Sequence, residues 1–136
     1  MTQQSIMLYN AAVKIAEQRW PMGQAIAAAA ITDKGTVLTS VWVDAACDAA
    51  CLCAETGTIA EAHKLNEKIV EIICVSREME NEPFIILPAC GICQERLAFF
   101  GPDLLIAVSK ENEQTILTKT LKQLRPHYWR KDYSFH

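Results

Sequence analysis

The sequence predicts a three-layer α/β/α fold around a mixed, mostly five-stranded sheet, in one domain spanning residues 1–136. Three features carry that expectation. Residues 5–19 place Ile6, Leu8, Ala11, Ala12, Ile15 and Ala16 at helical spacing and stop before Trp20-Pro21-Met22-Gly23, so a leading amphipathic helix should pack on a sheet. Two apolar runs flank Thr32-Asp33-Lys34-Gly35, which reads as a hairpin turn with glycine at the left-handed position. Beyond residue 53, strand-like and helical runs alternate, and that order implies parallel pairing through crossovers.

Each element has its own warrant. Residues 25–31, Ala-Ile-Ala-Ala-Ala-Ala-Ile, suit a helix by alanine content and a buried strand by length; the turn after them favours the strand. Val37, Leu38, Val41 and Val43 form its partner, and the small-residue segment from Asp44 to Leu52 should be the floor or wall of a pocket. A helix follows Cys53, with Ala54, Ile59, Ala62 and Leu65 on one face. Ile69 to Val75 is β-branched and apolar, a core strand bounded by the polar run from Ser76 to Asn81. Phe84 to Leu87 leads to a second helix, where Cys93, Leu97 and Ala98 precede a Gly101-Pro102 stop. Leu104 to Val108 is another buried strand, residues 110–117 a turn and a short edge strand, and Thr118 to Leu124 one or two helical turns. The tail from Arg125 to His136 is aromatic and basic, with no regular pattern.

A chain of 136 residues, 51% hydrophobic, supports one core and is too short for two. Its net charge of -3 gives no reason to expect a nucleic-acid polymer or an anionic membrane as partner. A small molecule is the expected partner. The N-terminus lacks a basic segment followed by an apolar run, and no stretch approaches the ~20 apolar residues of a membrane span, which points to the cytoplasm. In a reducing compartment six cysteines are metal ligands or buried thiols rather than disulfides.

Cys53, Cys90 and Cys93 would supply three thiols, and Glu55 a carboxylate, a set suited to zinc (Zn2+) with one position left for water. Both cysteine groups fall where a helix begins, where the dipole and unpaired N–H groups favour thiolate. Glu55, two residues after Cys53, would hang over the metal without binding it, as a proton carrier between water, a ring nitrogen and a leaving amine. Other readings remain open at this point. Cys90-Gly91-Ile92-Cys93 alone is also a redox or structural-zinc pattern, and a structural site would draw a fourth ligand from His63, Cys47 or Cys51. Glu55 alone is also what a helix N-terminus favours. His63 reads as a helix-face or core histidine, and Cys74, within a strand, as a small buried residue.

The pair Cys53-Ala54-Glu55 and Cys90-Gly91-Ile92-Cys93 resembles the cytidine deaminase superfamily. Cysteine rather than histidine as first ligand is similar to the small nucleoside branch, the cytidine and blasticidin S deaminases. The resemblance spans nearly the whole chain. It implies a homotetramer, catalytic Glu55, zinc on Cys53, Cys90 and Cys93, and substrate-binding positions at Gln24, Trp42, Asp44, Ala54, Tyr128 and Trp129.

Several of those positions depart from the family pattern. Anchored on Gly35, the strand position that usually holds a ribose-binding Asn falls on Trp42, and its partner Glu on Asp44. An indole donates one hydrogen bond and accepts none, so Trp42 cannot do the work of a side-chain amide. Gln24 stands near the position of an aromatic that packs beside the pyrimidine, Ala89 intervenes between Pro88 and Cys90, and Thr56 and Gln94 stand where many members keep arginines. Leu124-Arg125-Pro126-His127-Tyr128-Trp129 resembles the family's closing segment, whose aromatic end helps to close a pocket, often across subunits; a loose terminus burying a few rings is the alternative.

The implied reaction is hydrolytic deamination of a cytosine-type nucleoside, cytidine or deoxycytidine. The alternatives are deamination of a modified nucleoside or other aminated heterocycle, as in blasticidin S deaminases, and a non-catalytic zinc-binding protein.

Overall fold

The structure is a computed structural model that describes residues 2–133. Met1 and residues 134–136, the last three of the aromatic tail, lie outside the described residues. Among the described residues four α-helices and six strands follow one another: α1 (Thr2–Arg19), β1 (Ala25–Thr32), β2 (Val37–Val41), α2 (Glu55–Leu65), β3 (Ile69–Arg77), β4 (Ile85–Ile86), α3 (Gly91–Leu97), β5 (Leu105–Asn112), β6 (Thr115–Thr120) and α4 (Leu121–Leu124). The strands form one mixed sheet in the order β2-β1-β3-β5-β6, with the two-residue β4 added beside β3.

The alanine-rich run is a strand, as its turn implies: Gly35 adopts φ +81° and β1 pairs antiparallel with β2. Small side chains suit it because both faces are covered. Ala25, Ala27 and Ala29 join Leu8, Ala12 and Ala16 of α1 in one core; Ala30 joins Ile59 and Ala62 of α2 and Cys93 and Leu97 of α3 in the other. The period of two along β1 thus assigns alternate alanines to opposite layers. One buried carboxylate helps to lock α1 in place, since Glu71 of β3 is fully enclosed and accepts hydrogen bonds from the Ser5 hydroxyl and, at 2.9 Å, from Gln4 Nε2. Buried carboxylates need such donors.

The crossover expectation holds only for β3 and β5, which pair in parallel through α3. The strands flanking α2 are not neighbours: β1 lies between β2 and β3 and pairs antiparallel with both. The long antiparallel register from Ala25↔Arg77 to Thr32↔Ile69 also carries β3 beyond Val75, because Ser76 and Arg77 are buried and paired rather than bounding the strand. Ile85–Ile86, read only as a lead into the second site helix, pairs with Val75 and Ser76. Val43 is outside β2 and forms an isolated bridge with Leu52. Thr118–Thr120 belong to β6, so α4 begins at Leu121 behind a Thr120–Gln123 capping box. Among the described residues, no helix is long and apolar enough to cross a membrane.

Candidate active site

Two helix starts on the same face of the sheet converge to build the site. At the first, Ser40 of β2 donates through Oγ to the Ala54 carbonyl and accepts the Thr58 N–H at 3.1 Å, fixing the entry to α2. Ala54 and Glu55 are thereby buried directly after Cys53. Asn66 ends the helix in the left-handed conformation that this residue type tolerates, at φ 56°. At the second, Cys90 is the N-cap of α3, and Cys93 sits one turn in with no exposure. Gln94 Nε2 donates to the Ala89 carbonyl at 2.8 Å, so the residue inserted after Pro88 is held by the helix it precedes.

Cys53 and Cys90, far apart in sequence, bring their sulfurs to 3.5 Å, and the sulfurs of Cys53, Cys90 and Cys93 all lie within 4.8 Å of one another. Zinc–sulfur bonds of about 2.3 Å at tetrahedral angles require sulfurs about 3.8 Å apart, so this donor set fits the ion in both chemistry and spacing. Three protein donors leave one position open, the pattern of a catalytic rather than a structural zinc site. His63, one candidate for a fourth ligand, is exposed on α2 and packs its ring 4.3 Å from that of Phe99. All six cysteines are free thiols; Cys47 is exposed and Cys51 half-buried, whereas the expectation for cysteines outside the ligand set was burial.

The cluster's electrostatics depend on burial. Enclosure raises the Glu55 carboxyl above its ordinary range, while its own N–H and the Cys93 thiol oppose the rise. Burial, then the charges of Glu55, Cys90 and Cys53, also push the Cys93 thiol up. Cys90 goes the other way: burial opposes ionisation, but hydrogen bonds from the N–H groups of Cys93 and Ile92 and from the neighbouring thiols hold it below the usual thiol range. A cation at this point would offset the clustering of negative charge.

Cys53, Ala54, Glu55 and Cys90 face a small cavity of about 180 Å³, closed by Ile26, Trp42, Cys74, Leu87 and Pro88. Ile26 and Trp42 also line a second, outer cavity of about 390 Å³, together with Trp20, Gln24 and Asp44. Trp42 Nε1 donates to Asp44 Oδ1 at 3.3 Å.

No protein-family model matches this chain, and no curated protein does either. Solved structures do. A cytidine deaminase from Bacillus anthracis superposes with a TM-score of 0.85 at 41% identity, over 90% of this chain and 87% of that one. The chain belongs to the cytidine deaminase family. A cytidine deaminase from Mycobacterium leprae matches at TM-score 0.69 and 25% identity, over 89% of this chain and 96% of that one. Another, from Burkholderia pseudomallei, shares the fold at TM-score 0.70 with 20% identity, over 95% of this chain and all of that one, 100%.

Against the family pattern, the structure gathers Cys53, Ala54, Glu55 and Cys90 around the inner cavity, with Cys93 buried in the same thiol cluster, and Gln24, Trp42 and Asp44 around the outer one. It does not bring Tyr128 or Trp129 to either cavity of the same chain. Both are tied to Glu95 of α3, through Tyr128 Oη at 2.9 Å and Trp129 Nε1 at 3.1 Å, alongside Arg125 at 2.7 Å. The segment from Asp44 to Leu52 supplies only Asp44 to the cavity walls and is otherwise mostly exposed. Cys74, Trp20 and Ser40 have site positions that sequence reasoning missed. Cys74 read as a core thiol, and it is buried at 5% exposure, but its strand position turns it toward the inner cavity. Trp20 read only as the end of a helix, and no pattern singled out Ser40.

Proposed function

We propose that this protein is a zinc-dependent hydrolytic deaminase of a cytosine-type nucleoside, releasing ammonia from cytidine or deoxycytidine and leaving uridine or deoxyuridine. One observation carries the proposal: three thiols cluster at metal-binding spacing, and two of them, Cys53 and Cys90, face the same small cavity as the buried Glu55. In this reading Cys53, Cys90 and Cys93 hold zinc. When bound, zinc supplies a Lewis acid that makes water nucleophilic near neutral pH.

Glu55 does the proton work. Its carboxyl is enclosed, and enclosure favours the protonated form, so Oε can hold a proton out of bulk water. The attacking water would supply both protons that Glu55 relays: one delivered to the ring nitrogen beside the amine draws electrons from the carbon under attack, and one delivered to the amine itself lets it leave as ammonia. Ile26, Leu87 and Pro88 keep the inner cavity apolar, which strengthens each of these polar contacts. Ala54 and Trp42 complete the wall around the base, and Gln24, Trp42 and Asp44 lie where its substituent would extend.

A homotetramer in the cytoplasm belongs to the same reading: the tetramer is what the family resemblance implies, and six free thiols suit a reducing compartment. Tyr128 and Trp129 would reach substrate only across a subunit boundary. The test joins metal analysis to ammonia release from cytidine, deoxycytidine, blasticidin S and free bases. One zinc per chain with turnover of cytidine is the expected result. Bound zinc with no release from any of them would leave a non-catalytic zinc protein.

A further inference from the structure

We propose that Cys47 and Cys51 are a reversible redox pair, which closes to a disulfide across one turn of the loop before Cys53 and opens again to two thiols, and that closure acts on the Asp44 carboxylate. The disulfide is independent of the deaminase reading; its effect on turnover rests on that reading.

Access singles out these two thiols. In zinc-loaded protein Cys53, Cys90 and Cys93 would be occupied, and Cys74 is buried. Cys47 is exposed and Cys51 half-buried, on a loop whose residues 43–50 are all exposed. The loop is closed at its neck, where Val43 and Leu52 exchange N–H···O bonds of 3.0 Å, and its middle is a single 3₁₀ turn, Asp48–Ala50, with no buried residue. The Ala50 N–H donates to the Cys47 carbonyl and the Cys51 N–H to the Asp48 carbonyl, both at 3.1 Å, so the turn folds the two cysteines toward each other. Cys51 Sγ already lies 3.7 Å from the Cys47 carbonyl oxygen. Cβ atoms four residues apart on a helical turn are about 5–6 Å apart, and a disulfide needs about 3.5–4.5 Å. An exposed turn with no packed side chain closes that gap at little cost.

A small-molecule disulfide such as glutathione disulfide is the oxidant. The Cys47 thiolate attacks one of its sulfurs, forming a Cys47–glutathione bond and breaking the glutathione S–S bond, and one glutathione leaves as thiol with the proton from Cys47. The Cys51 thiolate then attacks the Cys47 sulfur and expels the second glutathione, which takes the second proton. Two electrons pass from the pair to the oxidant, and excess thiol reverses both steps. Disulfides in a reducing compartment are usually of this transient, sensing kind. Asp44 registers the change. With the thiols free, its Oδ1 accepts from Trp42 Nε1 at 3.3 Å and from the Cys51 S–H at 3.9 Å, a long contact from a weak donor. A disulfide has no S–H, so closure frees one acceptor position on Asp44, a wall residue of the outer cavity, for a substrate hydroxyl.

The zinc-loaded full chain would be equilibrated in glutathione buffers of rising disulfide fraction, quenched with acid, alkylated and mapped by fragment mass spectrometry, with zinc content, cytidine kinetics and calorimetric cytidine binding read on the same samples. A Cys47–Cys51 cross-link should form, two hydrogens lighter than the reduced peptide and reversed by excess thiol, while zinc is retained. On closure KM and Kd for cytidine should both fall about two- to fivefold, the lower end of what a hydrogen bond is worth because a thiol donates weakly. Cys51→Ser keeps a hydroxyl donor for Asp44 and cannot close the ring, so its Kd should stay at the reduced parent's value in every buffer. Thiols that remain free or each carry a glutathione in the most oxidising buffer, or a cross-link to a zinc ligand instead, overturn the pair. A cross-link that leaves Kd unmoved or raises it overturns the action on Asp44. A cross-link with tighter cytidine binding but no release of ammonia supports the proposal and overturns the deaminase reading instead.

Discussion

Gly57 of α2 lies so close to Ser40 of β2 that a Cβ at position 57 would stand 2.5 Å from the Ser40 Cβ. Side-chain atoms do not approach that closely, so the missing methyl is what lets the helix start descend onto the strand. Ser40 then reaches the Ala54 carbonyl and the Thr58 N–H, on either side of Glu55. Gly57→Ala should therefore destabilise the fold by about 1–3 kcal/mol, the usual cost of overpacking. It should also lower kcat, because the helix that carries Glu55 has to lift. Urea denaturation and steady-state kinetics measure the two effects; an unchanged midpoint would show that the contact relaxes without strain.

Glu55→Gln separates proton transfer from metal holding. Glutamine keeps the size and cannot carry the proton, so zinc content should stay at that of the parent protein while kcat falls by about 10²–10⁴-fold, the usual contribution of a positioned acid or base. Elemental analysis and ammonia release decide the matter. Activity within tenfold of the parent would remove Glu55 from its assigned role.

Metal removal should act on fold as well as turnover. The three thiols sit at the starts of two different helices, so a bound ion would tie α2 to α3. Chelation should abolish ammonia release and lower Tm, with both restored by added zinc. At about a hundred times its dissociation constant, a ligand specific for the native state stabilises it by about 2.7 kcal/mol. Differential scanning calorimetry at rising zinc concentrations gives the measurement, and a Tm indifferent to zinc would argue against the three-sulfur site.

The parts of this fold legible in sequence were those with a local physical signature. Thr32-Asp33-Lys34-Gly35 announced its hairpin because a left-handed residue was needed, and Cys53-Ala54-Glu55 with Cys90-Gly91-Ile92-Cys93 announced the cluster because few other uses need both groups. Strand order was not legible. Nothing local to β1 says that it inserts between β2 and β3, since an alanine strand buried on both faces carries no alternation to direct it. The partner of the tail's aromatics was not legible for a related reason. Tyr128 and Trp129 carry polar tips that Glu95 satisfies, a partner 33 residues away from Tyr128 that only the folded chain brings near.

Glu67 offers a prediction in pH. The Thr32 hydroxyl donates to its carboxylate at 2.6 Å, and this bond, with a second from Thr36, holds the group below the usual carboxylate range. A depressed carboxyl stabilises the native state above its unfolded-state value and loses that contribution as pH falls through the lower folded value. Thr32→Val should move the Glu67 midpoint up toward its ordinary value of about 4.3, and the stability difference between the two proteins should narrow in strong acid to the part that comes from the Lys34 and Thr36 N–H groups losing their acceptor. Side-chain NMR titration reads the midpoint directly, and an identical midpoint in the variant would contradict the assigned cause.

Thiol labelling can test the metal cluster without any substrate. Cys47 is exposed and Cys51 half-buried, so both should alkylate early in zinc-loaded protein. Cys74 should react late, because burial keeps its thiol protonated and the reactive form is the thiolate. The informative residue is Cys90. It is exposed, and its thiol is held below the ordinary range by the N–H groups of Cys93 and Ile92, so in metal-free protein it should react faster than Cys53, whose thiol is raised by burial. Zinc should slow both sharply by occupying the sulfurs. Mass spectrometry of iodoacetamide-treated samples, with and without chelator, gives the rates; modification of Cys90 at one rate in both states would mean that its sulfur binds no metal.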